Sequence, residues 1–507
     1  MSDASVAAAL RSKAPLVLIE APAGCGKTHQ AAEYAHWLAS ENASGQTLIL
    51  THTHAACDVF RARTQDVYGR VHVTTIDGLI VRVTGMYHMT MGLPFDTASW
   101  ARTQKDGFEE LARRAVGLLG ASKAIVKFLV ARYPTILCDE HQDANSVQNA
   151  IVMLLLDAGA KVRIFGDPMQ AIYVKGKIAR KDHTKRWHEL RERADIVEEL
   201  DFPHRWEKGS PELGRWVLRA RNSLRNGAPI DLRSDRPVGL FILVAENTSL
   251  MRGGFSLDAL QGNPVRKAVK AVTSMMILSG QNATVRGVNA YFGRAVPIWE
   301  GHSRESLSDL VAACLANSGN PIAIAEVFKT FVQSVAKGFS DSDFAKRFIQ
   351  EVTSGCTKRC IGRPAQIQSL ARCILEAPDH IGIANALTIL DTLRSSDQSF
   401  ADFKIDLRRE YWDAIRLGRF DDAGQGLAEI TRRRSVTGQS MPPKVISTVH
   451  KAKGLESDHV LMVPCDKGHF GDSDEKRCLL YVALSRAKST LTLVVSSNNP
   501  SPLLIGP

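Results

Sequence analysis

The apolar run Leu16-Val17-Leu18-Ile19 leads directly into Ala21-Pro22-Ala23-Gly24-Cys25-Gly26-Lys27-Thr28. That order predicts a buried strand, a tight loop of small residues and a helix beginning at the lysine. Small residues let successive backbone N–H groups curl around phosphate oxygens, and the helix turns its positive dipole end towards the same anion. Ala23, Gly24, Cys25, Gly26, Lys27, Thr28 and His29 are the candidate lining of that cradle. Lys27 would reach the β- and γ-phosphates, and the Thr28 hydroxyl would hold Mg²⁺. Ala21 stands where the standard loop has its first glycine. A nucleoside triphosphate site is the first expectation.

A second strand-like run, Thr135-Ile136-Leu137-Cys138, ends in Asp139-Glu140-His141-Gln142-Asp143. Two adjacent carboxylates at the carboxyl end of a strand suit triphosphate hydrolysis. Asp139 can bind Mg²⁺ through water, and Glu140 can act as general base on the attacking water. After Val162-Arg163-Ile164-Phe165, the uncharged Gln170 is placed to sense a γ-phosphate. Short apolar strands alternate with helical stretches here, which argues for an α/β fold with a parallel sheet and crossover helices.

In their order along the chain, these motifs resemble those of superfamily 1 DNA helicases of the UvrD/Rep type. Thr51-His52-Thr53-His54-Ala55-Ala56 is similar to that family's segment touching single-stranded DNA, and Val73-Thr74-Thr75-Ile76-Asp77-Gly78 to its next DNA-contacting strand end. His204-Arg205-Trp206 resembles a motif whose arginine reaches the γ-phosphate. Thr448 to Glu456 resembles a segment that touches the DNA backbone and binds the ribose through its glutamate. Leu480 to Lys488 resembles the motif whose first arginine, here Arg486, is a second finger on the γ-phosphate.

The resemblance implies DNA contacts at Thr51, His52, His54, Thr75, Thr448 and His450, and nucleotide contacts at Gly454 and Glu456. It implies a catalytic set of Lys27, Asp139, Glu140, Gln170, Arg205 and Arg486, with ATP and Mg²⁺ as cofactors. The implied fold has two RecA-like parallel-sheet domains with mainly helical insertions, and the implied movement is 3′ to 5′ along single-stranded DNA. Hydrolysis in such a motor depends on one half supplying the cradle and the other supplying charge to the transferring phosphoryl group.

The chain also departs from the family. Residues 1–20 contain no glutamine to read adenine, His204 stands at the adenine-stacking position, and His52 replaces a DNA-pocket phenylalanine. Val174 follows Tyr173 where the family has a base-stacking tryptophan, leaving Trp187 and Trp206 as candidate substitutes. Base–aromatic stacking is worth ~1–3 kcal/mol per base, so the expected grip on DNA is either weaker or carried by charge instead.

Composition fits a nucleic-acid partner: 64 Lys+Arg against 53 Asp+Glu give a formal charge of +11. Basic residues crowd into 175–193, 215–236 and Arg432-Arg433-Arg434. At 507 residues the chain has room for several domains. The expected division is a first sheet domain over 1–235 with a small helical insertion at about 88–130. A second sheet domain is expected from 236–303 with 441–507, interrupted by a helical insertion over 304–440. The nine cysteines include no Cys-x-x-Cys pair, so they read as small buried hydrophobes rather than metal ligands. No signal peptide or membrane-spanning stretch is evident, and a cytoplasmic protein with no membrane partner is expected.

Two readings of the biology stay open. One is a stand-alone DNA repair motor working on single strands or single/double-strand junctions. The other is an ATP-dependent DNA-sensing subunit that controls a separate nuclease. Compactness, short insertions and the missing stacking aromatics resemble the helicase-like subunits of antiphage (antiviral) defence systems such as Gabija.

Overall fold

In the computed structural model, the described residues are 2–41, 44–104, 106–246, 248–251, 254–257, 259–300, 305–436 and 441–506. Side chains of the basic run at 432–434 lie outside the described set. The chain forms two compact units, Met1–Gly287 with Thr448–Pro507, and Val288–Ser447.

In the first unit, β1 (Leu16–Glu20), β2 (Thr47–Thr51), β3 (Val71–Thr75), β4 (Thr135–Cys138), β5 (Lys161–Gly166) and β6 (Ile196–Glu199) form a six-stranded sheet. Their order is β3-β2-β4-β5-β1-β6 and every pair is parallel. Leu18 pairs with Ile164 and Leu48 with Ile136, so the apolar runs lie in register. Leu16, Leu18, Leu48, Ile136 and Ile164 share a core with Leu79, Leu111 and Leu155 from helices Ile76–Met86, Gly107–Ala121 and Ser146–Asp157. Val17, Ile19, Ile49, Leu137 and Phe165 join a separate core with Val6, Leu10 and Tyr34 from helices Ser2–Arg11 and Lys27–Ser40. Burial on both faces explains why β1 and β4 read as unbroken apolar runs without polar alternation.

A second parallel sheet in this unit has Met275–Ser279, Ser457–Cys465, Ala487–Ser496 and Leu240–Ala245 as successive neighbours. Helix Asp474–Leu484 precedes the strand at Ala487, with Leu479 to Leu484 all buried.

The Val288–Ser447 unit is built from helices such as Pro321–Val335, Phe344–Thr353, Arg363–Glu376 and His380–Ser396. A short antiparallel pair, Ala336–Lys337 with Lys404–Ile405, accompanies them. Phe328, Phe344, Phe348 and Phe400 are fully buried in its core. The unit begins before residue 304 and ends after residue 440. Its extra margin is tied by Trp299 N donating to Ile446 O at 2.7 Å, Ile446 N donating to Pro297 O at 2.9 Å, and an Arg294–Asp406 ion pair at 3.0 Å. Among the described residues no helix is long and apolar enough to cross a membrane.

Candidate nucleotide and DNA site

The loop after β1 turns through two left-handed glycines, Gly24 at φ 78° and Gly26 at φ 84°. A Cβ on Gly24 would fall 2.7 Å from both Arg205 Cβ and the Trp206 ring, so any side chain there would collide. Arg205 N also donates to Gly24 O at 3.0 Å. Thus the His204–Trp206 segment is fitted directly onto the loop. Burial pushes the Cys25 thiol up to about 12, which keeps it protonated and non-nucleophilic.

Lys27 leaves the loop at the first residue of its helix and pairs with Glu140, with Asp139 Oδ1 at 3.5 Å. Burial alone would lower the Lys27 ammonium, but Asp139 and Glu140 outweigh it and hold the group above its usual range. Burial holds Asp139 above the ordinary carboxylate range, against the pull of Lys27. For Glu140 burial also works upward, but Lys27 and Lys453 outweigh it and hold this carboxyl low. The two neighbours are therefore driven apart, Asp139 towards holding its proton and Glu140 towards staying ionised. Glu140 has φ 53°, a left-handed conformation that costs about 1 kcal/mol or more in a side-chain-bearing residue.

A buried relay continues from this pair. Gln142 donates to Glu140 and accepts from Asp167 N at 3.1 Å. Asp167, fully buried, accepts from Gln170 Nε2 at 3.2 Å and pairs with Arg221 at 2.9 Å. Gln170 O accepts from Lys453, which also pairs with Asp143 and lies 5.0 Å from the Tyr173 ring centroid.

The sheets of the first unit meet over the loop. Ala23 N donates to the Tyr481 hydroxyl at 2.8 Å, and Arg205 donates to Ser485 O at 2.6 Å while its Nε lies 2.8 Å from Glu456 Oε2. Arg486 is buried and donates to Val482 O at 2.9 Å, Leu455 O at 3.1 Å and the Ser485 hydroxyl at 2.7 Å. Burial, then the nearby Arg205, lowers the Arg486 guanidinium to about 9. Gly454, at φ 84°, and Glu456 are exposed on the approach to this cluster, as is His29.

The expected DNA residues divide by exposure. Thr51, Thr75 and Thr448 are buried at strand ends. The Thr51 hydroxyl donates to Thr53 O at 3.1 Å, Thr75 Oγ1 accepts from Gly78 N at 3.0 Å, and Thr448 Oγ1 accepts from Lys451 N at 3.3 Å. Their hydroxyls thus shape turns and caps. His54 is exposed, whereas burial lowers His52 to about 4. His450 sits 6.3 Å from Tyr173, ring to ring, and Tyr173 is 54% exposed, leaving an accessible aromatic at this point.

Trp187 and Trp206 are not available as stacking substitutes. Trp187 is buried and donates from Nε1 to Glu20 Oε1 at 3.2 Å; Trp206 is fully buried against Gly24 and Gly214. Both fill the sheet's carboxyl edge because the small residues beside them leave room for an indole.

Sequence reasoning missed Asp3 and Gln30. Asp3 Oδ2 lies 2.9 Å from His204 Nε2, and Asp3 Oδ1 accepts from Gln30 Nε2 at 3.2 Å. The only signal was an acid in the first turn of a helix preceding the loop.

A glycine cradle, a lysine between two carboxylates and hard oxygen donors at Thr28 and Asp139 fit a triphosphate with Mg²⁺. Two parallel α/β sheets carrying this cradle define a P-loop nucleoside triphosphatase with two RecA-like domains. Residues 95–174 match the UvrD/REP helicase N-terminal domain, and residues 444–494 match the UvrD-like helicase C-terminal domain. No curated protein matches the chain. The first span contains Asp139, Glu140 and Gln170, and the second contains Thr448, His450, Gly454, Glu456 and Arg486. These two matches support a UvrD-like superfamily 1 helicase, and with it the general activity of an ATP-dependent DNA helicase or translocase.

Proposed function

We propose that the chain hydrolyses ATP to move 3′ to 5′ along single-stranded DNA, opening single/double-strand junctions in the cytoplasm. The observation that carries this reading is the meeting of both sheets over one loop, through Tyr481 on Ala23, Arg205 on Ser485, and Lys453 on Gln170 O.

In this reading Lys27 and the backbone N–H groups of Gly24 to Thr28 hold the phosphates. Thr28 and Asp139 hold Mg²⁺, which when bound offsets charge on the phosphate oxygens. Glu140 takes the proton of the attacking water, and Gln170 orients around the γ-phosphate. Arg205 and Arg486 exchange their carbonyl and carboxylate partners for the phosphoryl charge as the halves close, and Glu456 and Gly454 border the ribose. His52, His54 and His450 line the DNA track, and Thr51, Thr75 and Thr448 shape the strand-end turns that hold it. We assign 1–235, with an insertion at 88–130, and 236–303 with 441–507 to the two motor domains, and 304–440 to a regulatory insertion.

The test is strand displacement by the purified chain on duplexes with either a 3′ or a 5′ tail. Displacement confined to the 3′-tailed duplex supports the reading, and displacement confined to the 5′ tail overturns the polarity. A second reading, in which ATP turnover licenses a separate nuclease in antiphage defence, is favoured by the burial of Trp187 and Trp206 and by Val174, which weaken base stacking. It predicts DNA-stimulated hydrolysis without displacement.

A further inference from the structure

We infer that Asp3, together with Gln30, reads the base of the nucleotide and admits guanine at least as readily as adenine. The inference rests on the reading that the loop at Lys27 holds a nucleoside triphosphate. His204 borders that loop: a Cβ on Gly26 would lie 3.1 Å from its Cδ2. Its ring packs 4.6 Å from Phe202, centroid to centroid, and is 36% exposed. A base stacked on this ring meets Asp3, whose carboxylate lies 2.9 Å from His204 Nε2 and is 37% exposed. Gln30, on the loop's own helix, donates to the other Asp3 oxygen at 3.2 Å.

An ionised carboxylate only accepts hydrogen bonds. Guanine presents N1–H and N2–H side by side, so both oxygens are satisfied in a bidentate pair, and the Gln30 amide can donate to O6. Adenine presents its N6–H beside a ring-nitrogen acceptor, which leaves one Asp3 oxygen facing a lone pair. Cytosine has the same mismatch, and uracil offers one N–H between two carbonyls. A side-chain amide in place of Asp3 would carry one donor and one acceptor and would match adenine instead.

The experiment measures kcat/KM for ATP, GTP, CTP and UTP at saturating single-stranded DNA, using the full chain and its Asp3→Asn and Asp3→Ala variants. The expected wild-type result is a GTP value equal to or above that for ATP, with both pyrimidines lower. Asp3→Asn should move the GTP/ATP ratio towards ATP by at least about fivefold, the scale of one net hydrogen bond. Asp3→Ala should flatten the differences among the four. Each ratio is taken within one variant, so the folded fraction cancels. A wild-type preference for ATP over GTP, or a smaller shift in Asp3→Asn, would overturn the inference and leave Asp3 as a helix-end acid tied to His204. Hydrolysis of none of the four by wild type would instead overturn the underlying triphosphate reading.

Discussion

The two compact units place charge in their interiors differently. Around the nucleotide loop, Lys27, Asp139, Glu140, Asp143, Asp167, Arg221 and Lys453 form a largely buried set, each ion-paired with another member and the pairs linked through Gln142 and Gln170. In the Val288–Ser447 unit the centre is aromatic, with Phe339–Phe344 centroids 4.4 Å apart and Phe328–Phe348 centroids 4.8 Å apart, and buried carboxylates such as Asp406, Glu351 and Asp413 pair with partly exposed arginines. Buried ion pairs are geometrically demanding and expensive to break, whereas apolar packing accepts volume-conserving change. The motor unit thus trades tolerance for chemistry, and the helical unit is the more forgiving of substitution.

Breaking the buried charge set should give the largest effect on stability. Arg221→Ala strands Asp167 without its cation and should cost ~3–5 kcal/mol in a denaturant titration. A loss under about 1 kcal/mol would mean that the set is not coupled. Acid should act on the same region. Burial lowers His141 to about 4, and the ring bonds Asn149 Oδ1 at 2.9 Å. Because its folded pKa lies below its unfolded value of 6.5, its contribution is complete above pH 6.5 and is lost as pH falls towards 4. That loss should be on the order of 2–3 kcal/mol, measured as melting temperature against pH, and His141→Gln should flatten its share of the slope. The smallest effect should come from the helical unit: Phe348→Leu should cost under about 1.5 kcal/mol and leave ATP hydrolysis intact. A larger loss there would erase the contrast between the units.

The first sheet, the loop and the acidic pair were readable because each is local, a strand followed at once by its functional residues. Burial on both faces turned β1 and β4 into apolar runs that sequence alone could identify. What escaped depends on distant contacts. Asp3, Gln30 and His204 come together only through tertiary packing, as do Lys453 and Asp143. Trp187 and Trp206 looked like free aromatics, but glycines elsewhere in the chain gave them a buried seat: Gly166 beside Trp187, and Gly24 and Gly214 beside Trp206. The margin of the helical unit, from 288 to 300, is tied by backbone pairing of Pro297 and Trp299 with Ile446, which no composition shift marks.

The central claim is that Lys27, held between Asp139 and Glu140, serves a DNA-dependent ATP hydrolase. The most direct measurement is the steady-state rate of ATP hydrolysis with and without single-stranded DNA, for wild type and Lys27→Ala. Wild type should be stimulated by DNA, and the variant should fall by at least about 10²–10³-fold, the range for loss of one group stabilising transition-state charge. Persistence of DNA-stimulated hydrolysis in Lys27→Ala would contradict the account.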